Sequence, residues 1–109
     1  MGINAFTKTG NTVTFTASTT APTPVQCISS TLGGNQYRVI NAGTGIVFLG
    51  YGATAAAANS SATLVTSSQE AFPLLPNTDE ILTFLPNAYF TGITASGSAV
   101  VYVTAGDGL

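Results

Sequence analysis

QYRVINAGTGIVFLGYGATAAAA, residues 36–58, is the stretch that decides the fold. It contains two β-rich runs, residues 36–41 and 45–52, joined by the turn signal Ala42-Gly43-Thr44. Turn residues between two such runs are typical of a β-hairpin. We therefore expect a central hairpin, with the rest of the chain packed around it as further strands.

The second run, residues 45–52, is apolar on both faces. Because successive side chains of a strand point to opposite sides, Ile46 and Phe48 share one face, and Val47, Leu49 and Tyr51 share the other. Only one face of a strand meets the core of a two-sheet sandwich, so the other needs a loop, an arm or another subunit to cover it. We predict that the face of Val47 meets a partner.

The flanking sequence predicts an all-β fold. Residues 12–17 alternate threonine with Val13, Phe15 and Ala17, and eight or nine short β-rich runs follow one another with turn signals between them. This spacing indicates an antiparallel two-sheet sandwich, and a count of about eight strands favours a jelly roll. We expect residues 1–11 to form an extended N-terminal arm and residues 12–109 a single β-sandwich domain.

Charged residues make up only 6% of the 109 residues, against about 25% in an ordinary soluble chain. The surface must therefore be mainly Ser, Thr, Asn, Gly and Ala, which suits a protein covered by partners in an assembly; a bland extracellular β-domain is the alternative. Two cationic residues and a formal net charge of −2 argue against nucleic-acid binding and against an anionic membrane surface. Polar residues and glycines interrupt every apolar run, so we expect no membrane span.

The titratable residues do not form a recognisable catalytic or metal-binding pattern. The chain has no histidine and a single cysteine, Cys27, so Ser-His-Asp and Cys-His arrangements are impossible and a transition-metal site is not expected. Asp79 and Glu80 are adjacent, so on a strand they point to opposite faces. We expect no enzyme activity, no metal and no cofactor.

Six short segments between residues 36 and 109 form a distinctive set. They are residues 37–43 (YRVINAG), 47–50 (VFLG), the alanine run, 81–84 (ILTF), 86–91 (PNAYFT) and 103–108 (VTAGDG). Together they resemble small β-sandwich cement or decoration proteins that stabilise the heads of tailed bacteriophages.

This resemblance implies a structural virion protein on the outer surface of the capsid, made in the host cytoplasm. It would bind the major capsid protein at joints of the lattice as a dimer or trimer. An alternative is a glycan- or receptor-binding β-domain of a phage tail or surface appendage, because tyrosines on strands can present their rings to sugars. The residues predicted to contact the oligomer or another partner are Ile3, Phe6, Val47, Leu49, Tyr51, Ala55, Ala56, Ala57 and Ala58.

Overall fold

The computed structural model describes residues 7–26, 36–64, 71–84 and 88–107. Within these ranges the chain forms eight strands and one short helix. In chain order they are β1 (Thr7–Ala17), β2 (Val25–Gln26), β3 (Gln36–Asn41), β4 (Val47–Gly52), α1 (Ala55–Ser61), β5 (Phe72–Leu74), β6 (Thr78–Thr83), β7 (Tyr89–Thr94) and β8 (Ala99–Asp107).

The strands form two four-stranded sheets. The first sheet has the order β1-β8-β3-β6, and the second has the order β2-β7-β4-β5. All pairs between these strands are antiparallel. The pairs β1·β8, β2·β7, β3·β6 and β4·β5 are nested: each strand of the first half of the chain, β1 to β4, pairs antiparallel with one strand of the second half, β5 to β8. The predicted all-β antiparallel sandwich of eight strands is confirmed.

The predicted central hairpin is wrong. Strand β3 pairs with β6 and β8 in the first sheet, whereas β4 pairs with β5 and β7 in the second sheet. Residues 42–46 therefore carry the chain from one sheet to the other. Residues 42–44 do connect two strands, as predicted. The connection passes from the first sheet to the second instead of joining two paired strands of one sheet.

The buried side chain of Asn41 fixes this crossover. Its Nδ2 donates to the carbonyl oxygens of Gly45 at 2.9 Å and Leu74 at 3.0 Å, and its Oδ1 accepts from the N–H of Gly43 at 3.0 Å. These bonds satisfy a fully buried amide and tie the end of β3 to β5 in the opposite sheet. Gly43 is required here, because a Cβ at this position would lie 2.3 Å from Cβ of Ala99.

The core lies between the facing sides of the two sheets. Alternation along β1 turns Phe15 and Ala17 inward, while Thr12, Thr14 and Thr16 are exposed. Tyr37 packs its ring against Phe90 with centroids 4.8 Å apart. The core residues are Phe15, Ala17, Tyr37, Val39, Val47, Leu49, Leu74, Ala88, Phe90, Ala99, Val101, Val103 and Ala105.

The predicted boundary of the N-terminal arm at residue 11 is also corrected. Strand β1 begins at Thr7, where Thr7 pairs with Asp107 and Lys8 pairs with Gly106. A register shift between Lys8 and Thr12 coincides with the glycine-containing segment of residues 9–11. Residues 7–11 thus belong to the first sheet, and residues 1–6 lie outside the described residues.

Candidate partner-binding surface

Val47 and Leu49, two of the residues predicted to contact a partner, lie in the core. Both have no exposed surface, and both face the first sheet from strand β4. A side chain without exposed surface cannot contact another molecule unless the sandwich opens. The two faces of this strand are therefore the reverse of the prediction: Val47 and Leu49 face the core, and Ile46 and Phe48 face outward.

Tyr51 is half-buried on the same inward side as Leu49. Its ring lies 4.5 Å, centroid to centroid, from that of Phe84, which in turn packs against Phe90 at 5.5 Å. Tyr51 thus joins the aromatic cluster of the core. Part of the side chain remains accessible, so its contact with a partner stays a prediction.

The alanine run forms helix α1, which covers part of the outer face of β4. Gly50 and Gly52 let the helix approach: a Cβ on Gly50 would lie 2.5 Å from the carbonyl oxygen of Ala58, and one on Gly52 would lie 2.5 Å from Cβ of Ala57. Ala58 is completely buried by this packing. The cover that this strand was expected to need is therefore supplied in part by its own chain.

Hydrogen bonds position helix α1 at both ends. The hydroxyl of Thr54 caps the helix by accepting from the N–H of Ala57 at 3.1 Å. The Ser61 hydroxyl accepts from the N–H of Tyr51 at 2.8 Å and donates to the Tyr51 carbonyl at 3.0 Å. The helix is short, and these contacts with β4 hold it in place.

The remaining predicted contact residues have different outcomes. Ala55, Ala56 and Ala57 are exposed, so their predicted role in a contact stays open. Ala58 is buried against β4 and is not available. Ile3 and Phe6 lie outside the described residues.

An apolar patch occupies the part of the second sheet's outer face that α1 leaves open. Phe48 pairs with Ile93 on one side and Pro73 on the other, and all three point away from the core by alternation. Ile46 and Leu75 flank the buried pair Val47–Leu74 and continue the same face; they are 42% and 59% exposed. We call Ile46, Phe48, Pro73, Leu75 and Ile93 the outer apolar patch.

Charge is distributed very unevenly between the two sheets. Strands β2, β4, β5 and β7 of the second sheet contain no Asp, Glu, Lys or Arg. The charged residues on described strands all belong to the first sheet: Lys8, Arg38, Asp79, Glu80 and Asp107. The outer apolar patch is therefore free of charge. Ile46, Pro73 and Leu75 are exposed in it and Phe48 and Ile93 are half-buried, which is the surface chemistry of a protein contact.

The glycines of β4 are the sequence signal that indicates this patch. Gly50 and Gly52 lie on the same face of β4 as Phe48. Glycine has no side chain to fill a core, so this face points outward and the face that carries Val47 and Leu49 points inward. The outer glycines instead mark the place where another backbone approaches.

The described residues contain no group of three or more His, Cys, Asp or Glu side chains able to hold a metal ion. None of the helices in the described ranges has the length and apolar character needed to span a membrane. No protein-family model, curated protein or solved structure matches the chain.

Proposed function

We propose that this chain is a non-enzymatic structural protein of a virus particle, a cement or decoration protein on the outer surface of a tailed-phage capsid. It would bind the major capsid protein as a homo-oligomer, a dimer or trimer, and stabilise the head through non-covalent contacts. The sequence segments that resemble such proteins support this proposal. The fold and the outer apolar patch support it independently.

Strand order supports a jelly roll as the finer description of the fold. A jelly roll places eight strands in two sheets through two Greek keys, and this architecture occurs in viral capsid and lectin domains. The nested pairs β1·β8, β2·β7, β3·β6 and β4·β5 fit a long hairpin rolled into a sandwich.

The observation that carries the proposal is the uncharged outer apolar patch, which we assign to contact with a second copy of this chain. Asp79 on edge strand β6 is paired with Arg38, but copies that met through this strand would still bring their Glu80 carboxylates to the same interface. Contact through the second sheet avoids this repulsion, because its described strands carry no charge. A self-complementary patch is what a closed symmetric oligomer requires.

Particles from the virus that encodes the chain provide the test. Purified heads are analysed by mass spectrometry and by cryo-electron microscopy, and heads assembled without the chain serve as the control. We expect the chain in purified heads, as extra density outside the capsid shell at joints between major capsid subunits. Absence from heads, or density only at a tail tip or fibre, would contradict the proposal.

A further inference from the structure

A shallow cleft of about 350 Å³ lies on the outer face of the first sheet, on the opposite side of the molecule from the outer apolar patch. Its apolar lining residues are Ile40 on β3 and Ala42 just after that strand, and its polar lining includes Arg38, Asn77 and Asp79. This volume is at the lower end of the range of small-molecule sites. It suits a ligand of the size of a mono- or disaccharide.

Tyr102 does not line the cleft itself but lies next to Ile40, which does. Tyr102 on β8 is the direct cross-strand partner of Ile40, whose other partner is Asp79 on β6. Paired residues of neighbouring strands lie on the same face, so Tyr102 and Asp79 flank Ile40 on either side. The tyrosine is 41% exposed, so its ring is accessible beside the cleft.

Arg38 and Asp79 are held in a fixed arrangement. Both Nε and Nη2 of Arg38 lie 2.8 Å from Oδ2 of Asp79. Oδ1 of Asp79 and Nη1 of Arg38 take part in neither of these two contacts, so the pair retains an acceptor and a donor. An exposed ion pair of this kind adds little to stability, and both side chains remain accessible to a ligand, each being 48% exposed.

We propose that this cleft binds a neutral saccharide. A sugar ring presents C–H groups on one face and hydroxyls around its rim. The Tyr102 ring would pack on the C–H face, while Asp79 accepts from hydroxyls and Arg38 and Asn77 donate to them. Because Asp79 compensates the charge of Arg38, the cleft disfavours an acidic sugar. This site is separate from the outer apolar patch, so the inference does not rest on the proposed function.

Nuclear magnetic resonance of the full ¹⁵N-labelled chain tests the proposal. The probes are maltose, cellobiose, lactose and methyl mannoside, with glucuronate as the acidic comparison. We expect at least one neutral probe to shift backbone amide signals of residues 38–42, 77–79 and 102. No shift with any neutral probe, a response to glucuronate alone, or shifts confined to the second sheet would each overturn the proposal.

Variants then test the assigned roles. Tyr102→Ala is expected to weaken binding of the active probe by about tenfold, and Tyr102→Phe to retain it because the ring remains. Asp79→Ala is expected to weaken binding as well, through loss of the hydroxyl acceptor. The control is Tyr89→Ala, on the outer face of the second sheet, which should leave the affinity unchanged. The amide spectrum of each variant reports whether it is folded. Equal affinities of folded Tyr102→Ala and wild type would refute the site.

Discussion

Replacing Asn41 by alanine is expected to destabilise the sandwich by about 2–6 kcal/mol, judged from the number of backbone groups left without a partner. Asn41 holds the crossover between the sheets through three hydrogen bonds, to Gly43, Gly45 and Leu74. The substitution removes all three at once. It perturbs the connection between the sheets and leaves the core side chains unchanged.

The magnitude follows from the surroundings of each bond. The bond to the Leu74 carbonyl is buried, so the acceptor left behind costs about 1–3 kcal/mol. The bonds to Gly43 and Gly45 are part-buried, and water can replace them in part, so each contributes about 0.5–1.5 kcal/mol. A chain of this length is stable by about 5–15 kcal/mol in total. The substitution therefore removes a large share of the stability.

Urea denaturation followed by tyrosine fluorescence and circular dichroism measures the effect, since the chain has four tyrosines and no tryptophan. Asn59→Ala is the matched control, because Asn59 is exposed on helix α1; we expect it to change the free energy of unfolding by less than about 0.5 kcal/mol. A loss below about 1 kcal/mol for Asn41→Ala, with an unchanged m-value, would refute the role given to this side chain.

Three further substitutions test the packing of helix α1, a buried hydrogen bond and the protection of a sheet edge against aggregation. Gly50→Ala should destabilise by about 1–3 kcal/mol, because the new Cβ collides with helix α1; thermal unfolding measures it against Gly45→Ala, where a Cβ meets nothing within 4 Å. Tyr37→Phe should cost about 1–2 kcal/mol, since the buried N–H of Ala88 loses its acceptor; an equal urea midpoint would contradict this. Glu80→Val should increase turbidity on heating, because it removes an inward-facing charge from edge strand β6; unchanged turbidity would count against that role.

The fold class could be predicted from the sequence because alternation is a local signal. Threonines at 12, 14 and 16 and the apolar residues between them already separate the two faces of β1, and the structure places Phe15 and Ala17 in the core. The turn signals between short runs gave the approximate number of strands. Each of these features depends on neighbouring residues alone.

The pairing of the strands could not be predicted in the same way. The segment Ala42-Gly43-Thr44 is compatible with a hairpin and with a crossover. Contacts distant in the sequence distinguish them: the pairing of β3 with β6 and β8, and the bond between Asn41 and Leu74, 33 positions further on. The N-terminal boundary failed for a similar reason, since residues 7–8 are ordered in β1 by pairing with residues 106–107. Both errors concern contacts that are distant in the sequence.

The prediction assigned the wrong face of β4 to the exterior, since Val47 and Leu49 lie in the core. With Ile46, Phe48, Val47 and Leu49 all apolar, hydrophobicity alone could not decide which side met the core. Helix α1 decides it, because the alanine run can pack only where Gly50 leaves room. The exposed Leu75 could not be recognised before the pairing of β5 with β4 was known.

Sedimentation velocity at micromolar concentration tests most directly whether the outer apolar patch joins copies of this chain. The wild type and the variants Ile46→Lys and Leu75→Lys are compared with Ile81→Lys, since Ile81 is 44% exposed on the first sheet and Ile46 is 42% exposed on the second. We predict a wild-type dimer or trimer, monomers for the two patch variants, and an unchanged oligomer for Ile81→Lys. A monomeric wild type, or dissociation caused by Ile81→Lys and by neither patch variant, would contradict the account.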